Sequence, residues 1–307
     1  MSQFAVQVLG ASSAAPAHGR NQSAQLLLVN GRQYLIDCGE GTQHQFFRFK
    51  IRPFRLNHIF ISHLHGDHYL GLVGLLSTLH LQKREHELTV YGPEGLEEIV
   101  AVNLKYSETE LNFPIRFVVT DHTAPQELLR DDRLTIRSFP LSHRVPTTGF
   151  VFKEHPKPYR IIKEKLPENI LLQEIALFKQ GKDVLHEDGS VKYAAAEHTL
   201  PPKRSRQFAY CSDTRYLPEI VPHLSDTDLL YHEATFGVEM AARAAETFHS
   251  TAQEAAQIAT QSGVRRLMIG HYSTRYRDLQ PLLEEAQAVF PETQLALEGE
   301  ITEIPEL

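Results

Sequence analysis

Nine residues, Phe60-Ile61-Ser62-His63-Leu64-His65-Gly66-Asp67-His68, hold three imidazoles and a carboxylate within six positions, directly after an apolar, strand-like run. Groups crowded in this way must shed water, and folding returns nothing for that loss unless a cation pairs with them. Neutral imidazole and carboxylate are ligands suited to zinc and similar borderline metals. His63 and His65, with one leucine between them, can point to one side. Asp67 and His68 can fold back across Gly66 toward a second ion, so the spacing predicts two metals.

Further ligand-type residues stand at the ends of other strand-like runs, in Ser142-His143, Ser212-Asp213 and Gly270-His271. Functional groups of open α/β folds gather outside the carboxyl ends of the strands. The expected partition is His63, His65 and His143 on one metal, Asp67, His68 and His271 on the other, and Asp213 bridging, with room left for water. Taken alone, His143 or His271 reads equally as an ordinary hydrogen-bonded histidine, and Asp213 as the cap of the next turn. Asp37, before Cys38-Gly39, is read as support behind the ligands. His249 precedes Ser250-Thr251 and can sit at a helix N-terminus, where the dipole lowers its pKa; Glu233, closing another strand-like run, can offset that by pairing with it. Such a pair beside two metals suits a proton donor to a leaving oxygen. The plainer alternative is an exposed histidine before a capped helix.

The framework expected to carry these residues is α/β. Apolar runs at residues 4–9, 24–29, 33–36 and 57–62 read as strands, with Asn30-Gly31 as a hairpin turn. Further strands are expected at 88–91, 134–141, 207–212, 229–231 and 267–270. Helices are expected at 69–81, 94–106, 253–261 and 279–290, the third capped by Ser250 or Thr251 and stopped by Gly263. Residues 153–206 break the pattern: they open with Pro156 and Pro158, hold one amphipathic piece near 167–179, and close with Pro201-Pro202-Lys203-Arg204-Ser205-Arg206. They are read as an insertion projecting from the core.

The chain of 307 residues, 42% hydrophobic and 22% charged, has the composition of a globular protein. No segment approaches the roughly 18 uninterrupted apolar residues of a membrane span, and residues 1–10 read as a first strand rather than a signal peptide. A cytoplasmic protein without membrane contact is the expectation. Cys38 and Cys211 lie in apolar runs and are expected as buried thiols rather than a disulfide. The net charge of -7 is unevenly spread: the insertion holds 11 Lys and Arg against 8 Asp and Glu, a local +3 that leaves -10 elsewhere. A basic segment on an acidic body can grip nucleic-acid phosphates without reading sequence.

The metal motif His63-Leu64-His65-Gly66-Asp67-His68 resembles the His-x-His-x-Asp-His signature of the metallo-β-lactamase superfamily. Within it, the chain resembles the ribonuclease Z family, the tRNA 3′-processing endonucleases, over nearly its whole length. The matching pieces include Asp37-Cys38-Gly39-Glu40-Gly41-Thr42-Gln43-His44, Ser212-Asp213-Thr214-Arg215, His232-Glu233-Ala234-Thr235-Phe236, His249-Ser250-Thr251 and Gly270-His271-Tyr272-Ser273-Thr274-Arg275-Tyr276. The resemblance implies an αββα four-layer sandwich over residues 1–307, with a flexible arm inserted at about 153–206 that clamps the tRNA elbow. It implies two zinc ions, Asp67 as proton acceptor, and His249 with Glu233 assisting proton transfer. It also implies RNA contacts at Lys203, Arg204, Arg206 and Arg275, and a homodimer in which the arm of one subunit serves the other. The insertion departs from the family by having Pro167-Glu168-Asn169-Ile170-Leu171 and no Gly-Pro pair, which bears on the arm's geometry and tRNA affinity and not on the metal chemistry.

The expected reaction on precursor tRNA is attack by a hydroxide bridging two ions, whose bound water would ionise near pH about 7. The tRNA would keep a 3′-hydroxyl and the trailer a 5′-phosphate. A small phosphodiester, lactone or thioester hydrolase would share all seven ligands but has no use for a basic insertion. A nucleic-acid binder with structural metal fits less well, because structural zinc sites are closed and usually cysteine-rich.

Overall fold

Alternation along the first strands divides their side chains between two cores. In the computed structural model, which describes residues 3–306, Phe4, Val6 and Val8 of β1 (Phe4–Gly10) join one apolar cluster and Leu9 another. Leu27 and Val29 of β2 (Ala24–Val29) separate from Leu26 in the same way. Asn30 and Gly31, at φ 48° and 83°, are both left-handed, as a two-residue hairpin requires. They turn the chain into β3 (Arg32–Ile36), which is followed in parallel by β4 (Leu56–Phe60), β5 (Leu88–Gly92) and β6 (Ile115–Val119).

The second sheet begins with β7 (Gln126–Arg130), β8 (Leu134–Pro140) and β9 (Thr148–Glu154). Four short strands follow, β10 (Arg160–Ile161), β11 (Val184–Leu185), β12 (Val191–Tyr193) and β13 (Thr199–Leu200), paired as β10 with β13 and β11 with β12. The sheet resumes with β14 (Gln207–Cys211), β15 (Leu229–Glu233), β16 (Leu267–Gly270) and β17 (Thr293–Leu295), all parallel. β18 (Ile301–Glu303) returns to the first sheet beside β1. Each large sheet thus has seven strands, ordered β18-β1-β2-β3-β4-β5-β6 and β17-β16-β15-β14-β9-β8-β7.

The inner faces meet through aromatics. Phe60 is fully buried, stacks on Tyr91 with centroids 4.5 Å apart, and takes the edge of Phe152 at 5.2 Å. Burial of one such ring stabilises the fold by about 1.5–3 kcal/mol. It also anchors the end of β4 just before the metal motif. The outer face of the first sheet is covered by α1 (Thr42–Arg48), the short α2 (Gly66–Tyr69), α3 (Gly71–Leu81) and α4 (Leu96–Tyr106), which bury Phe46, Leu72, Leu75, Leu76, Leu79 and Leu96 among others. The insertion holds α5 (Leu172–Lys179) and α6 (Ala195–His198); beyond it come α7 (Ala241–Thr247), α8 (Ala252–Ser262) and α9 (Gln280–Gln287). Ala252, Ala255, Ile258 and Ala259 of α8 join the core that holds the second sheet. The result is the four-layer α/β arrangement that the family resemblance implies.

The chain divides into two compact units, one made of residues up to Lys153 and from Gln207 to Ile304, the other of Glu154–Arg206 joined by the residues from Pro305 onward. The smaller unit has its own apolar centre of Phe178, Val184 and Ala195. Its two ends are joined by the Arg206 guanidinium, which reaches both Glu154 carboxylate oxygens at 2.6 and 2.9 Å.

The structure departs from the sequence reading in several elements. The helix expected at 69–81 is broken at Leu70, because Gly71 passes against the Cys38-Gly39 backbone so closely that a Cβ there would fall 2.1 Å from the Gly39 oxygen. β6, β7, β9 and α1 went unpredicted. Ile115–Val119 and Gln126–Arg130 are only half-buried and carry no clean apolar alternation, and Thr42–Arg48 is only about two turns long. Cys38 and Cys211 are buried free thiols, as expected, with Cys38 pushed up to about 12 by burial.

Candidate metal centre

The loops after β4, β8, β14 and β16 carry the predicted donors and bring them together. Donor atoms of His63, His65, His143 and Asp213 lie within 4.8 Å of one another, and those of Asp67, His68 and His271 do the same. Asp213 stands between the two groups. Its Oδ1 lies 3.1 Å from Nε2 of both His68 and His271, and its Oδ2 lies 3.5 Å from Nε2 of His63 and 3.6 Å from Nε2 of His143. One carboxylate oxygen therefore faces each group of donors.

Most of these rings are fixed from behind by their other nitrogen. His68 Nδ1 is 2.7 Å from Asp37, which also accepts from Tyr210 Oη at 2.7 Å and from the Ser62 backbone at 2.8 Å. His143 Nδ1 donates to the Phe248 carbonyl at 2.9 Å, and His271 Nδ1 lies 2.9 Å from Thr235 Oγ1. Such supports set ring orientation and donor basicity. Asp67 Oδ2 accepts from the Ala14 backbone at 2.7 Å. Asp37, Asp213, Phe248 and His271 all adopt left-handed φ of 56–59°. That conformation costs a non-glycine residue of order 1 kcal/mol, and its concentration around one cluster marks a site held in place by the rest of the fold.

The donor set fits a cation. His63 Nε2 is buried with no hydrogen-bond partner, and burial keeps its ring neutral, well below the usual histidine range, with His68 adding to the effect. Burial opposes ionisation of Asp213, yet the surrounding imidazoles, His271 and His68 foremost, hold it well below the carboxylate range. Burial opposes a charge on His68 as well, but Asp213, Asp67 and Asp37 prevail and draw its pKa up. Positive charge is what this cluster of carboxylates demands.

Beside the donors opens a cavity of about 430 Å³ lined by Asp67, Asp213, His249 and His271 and rimmed by Arg144, Arg243 and Arg275. Glu233 Oε1 holds His249 Nδ1 at 2.9 Å, and Glu233 is itself fixed by the Thr214 and Ser250 backbone and the Thr235 hydroxyl. Burial pulls His249 down, but the Glu233 carboxylate wins and raises it to about 9, so the expected pairing more than offsets the downward pull on the ring. His249 also approaches Asp213 and His271 closely enough to count as a donor, a third grouping that the sequence did not suggest. Thr251, not Ser250, caps α8, in a reciprocal box with Glu254, while Ser250 Oγ donates to the Thr214 carbonyl.

Of the residues expected to touch RNA, Arg275 lines the cavity, its guanidinium 5.3 Å from the Phe236 ring centre. Lys203 lies in the smaller unit and pairs with Glu306 at 2.8 Å, and Arg204 lies there too. Arg206 is a correction: only 3% exposed, it is spent on Glu154 and presents no charge to solvent. Arg144 and Arg243 went unnoticed in the sequence because no spacing pattern marks them.

Residues 4–152 match the family model described as anti-Pycsar protein Apyc1. A ribonuclease Z from Cytophaga hutchinsonii is 48% identical over 296 residues, covering 96% of this chain and 95% of the relative. The chain belongs to the ribonuclease Z family. The short form of human tRNase Z, whose crystal structure is known, is 27% identical to this ribonuclease Z family member, with a TM-score of 0.71 over 98% of this chain and 99% of that one. YhfI of Bacillus subtilis, a metallo-β-lactamase fold protein, has a TM-score of 0.70 at 19% identity over 99% of this chain and 100% of that one, which places the ribonuclease Z chain in that fold. Among the described residues no helix is long and apolar enough to cross a membrane.

Proposed function

We propose that this chain is a metal-dependent endoribonuclease that removes the 3′ trailer from precursor tRNA, leaving a 3′-hydroxyl on the tRNA and a 5′-phosphate on the trailer. The observation that carries the reading is the convergence of seven His and Asp donors beside an arginine-rimmed cavity in a chain nearly half identical to a ribonuclease Z.

Two zinc ions are the proposed cofactor, one held by His63, His65 and His143, the other by Asp67, His68 and His271, with Asp213 shared. When bound, the metal supplies positive charge for the phosphoryl oxygens and a water that ionises near neutral pH. The remaining steps belong to the protein. Asp67, pinned by the Ala14 amide, orients the attacking water and accepts its proton. His249, with Nδ1 committed to Glu233, keeps Nε2 for the departing 3′ oxygen and delivers the proton there. Arg144, Arg243 and Arg275 hold phosphates on either side of the cut at fixed positions while the chemistry proceeds.

RNA affinity is assigned to the insertion, with Lys203 and Arg204 as backbone contacts and RNA shape rather than sequence setting the choice. A cytoplasmic homodimer is the proposed working form. The test is incubation of zinc-loaded protein with end-labelled precursor tRNA, with and without chelator, and mapping of the new ends. Chelator-sensitive cleavage just after the discriminator base, giving the ends named above, is expected; a 2′,3′-cyclic phosphate would remove the water-attack mechanism, and intact RNA would remove the substrate.

A further inference from the structure

The first sheet carries a second cavity, of about 460 Å³, at the end opposite the metal donors. Gln33, in its lining, stands near the start of β3, whereas Asp37 follows that strand's end; Arg55 precedes β4, whereas His63 follows it. At about 3.3 Å per residue, Gln33 and Asp37 are roughly 13 Å apart. A small molecule bound at this end does not occupy the metal centre.

The walls of this cavity are chemically sorted. Lys50, Arg52 and Arg55 all line it and are exposed. No acidic residue lines it among the described residues, in a chain of net charge -7. No ion pair or hydrogen bond engages any of these three side chains among the described residues. Lys50 is held in the left-handed region at φ 55°, with its amide on the Phe47 carbonyl and that of Ile51 on the Phe46 carbonyl, so the cationic loop is a defined shape. Leu28, Phe49 and Ile51 give one apolar wall. Gln33 is only 7% exposed, and its Oε1 is buried with no hydrogen-bond partner. An acceptor left in that state calls for a donor.

Bare phosphate answers the cations, and its remaining P–OH can donate to the glutamine oxygen, but it leaves the apolar wall of Leu28, Phe49 and Ile51 uncovered. A ligand with a phosphate at one end, a flat apolar body, and a hydroxyl or amino donor matches all three features, and the volume falls within the roughly 300–1,000 Å³ of small-molecule sites. We propose that this cavity binds a mononucleotide, its phosphate on Lys50, Arg52 and Arg55 and a ribose or base donor on Gln33. An RNA backbone would satisfy the cations but would leave the apolar wall of Leu28, Phe49 and Ile51 without a base against it. The inference is independent of the tRNA reading of the metal centre.

The test is calorimetric titration of adenosine 5′-monophosphate, inorganic phosphate and adenosine into the metal-loaded full chain and into the Arg52→Glu/Arg55→Glu variant. The variant is expected to bind one equivalent of the nucleotide fewer than the parent, with an unchanged rate and KM on precursor tRNA, which also reports that it is folded. In the parent, that lost event should be about tenfold weaker for phosphate or adenosine than for the nucleotide. Gln33→Leu should keep the phosphate event and lose the nucleotide's advantage. Unchanged stoichiometry in the charge-reversal variant, or equal affinity for phosphate and nucleotide in the parent, overturns the proposal. A raised KM for precursor tRNA with no nucleotide event lost would give the patch to RNA and overturn it equally.

Discussion

Glu233 sets the protonation of His249, and with it the upper pH limit of the proposed acid. The carboxylate at 2.9 Å raises His249 from the ordinary 6.5 to about 9, so the ring is protonated at neutral pH and loses its proton as pH rises through that value. In Glu233→Gln the largest upward causes are gone, and burial and His68, both acting downward, are opposed by Asp213 alone. The alkaline limb of kcat therefore moves toward neutral pH, whereas His249→Asn lowers kcat about 10²–10⁴-fold at pH values below that limb and removes the limb itself; pH–rate profiles on precursor tRNA check both. Asp37→Asn removes the support behind His68 and is expected to weaken metal binding about 10–100-fold with the fold intact, as read by competition with a chromogenic chelator. At this scale the sequence was most legible where chemistry forces clustering: His63 to His68 announce a metal because nothing else explains them. Arg206 misled because its partner Glu154 is 52 positions away, and local pattern carries no trace of such a pairing.

Helix α8 links local sequence to the position of the proposed acid. Thr251 accepts from the Glu254 amide while Glu254 reaches back to the Thr251 amide, and His249 lies two residues upstream. Thr251→Ala should cost about 1 kcal/mol in urea unfolding and should also lower kcat by displacing His249, a coupling absent from a cap with a purely structural role. In the smaller unit, Glu154 is the group to titrate. Burial pushes its carboxyl up, but the Arg206 guanidinium holds it below its ordinary 4.5. Its contribution is complete above pH 4.5 and disappears as pH falls through the lower folded value. Glu154→Gln takes the carboxylate away from a buried guanidinium, and the predicted loss is about 3 kcal/mol, visible as faster hydrogen exchange across residues 154–206 at neutral pH. Helix α8 was readable because its cap residue and its stop at Gly263, φ 61°, are both local signals. β9 was not, since its partner β14 lies beyond the whole insertion.

The molecule as a whole sets an acidic body against a basic insertion. Lys203→Glu with Arg204→Glu is expected to raise KM for precursor tRNA about tenfold and to flatten its salt dependence, with hydrolysis of a small phosphodiester such as bis(p-nitrophenyl) phosphate unchanged. Equal loss on both substrates would move Lys203 and Arg204 out of RNA binding and into the stability of the enzyme. The α/β class was legible because runs of period two and of 3.6 alternate along the chain. The assembly of two seven-stranded sheets was not, because it is fixed by pairings across hundreds of residues, of which β1 with β18 is the extreme. During synthesis the outer edge of β1 stays bare until residues 301–303 have been made, roughly 15–60 s after β1 itself at 5–20 residues per second. From the making of His68 to that of His271, roughly 10–40 s at the same rates, His63, His65 and His68 can meet the cell's metal pool without His271 to complete the set, so the growing chain can meet its metal well before it can close around it.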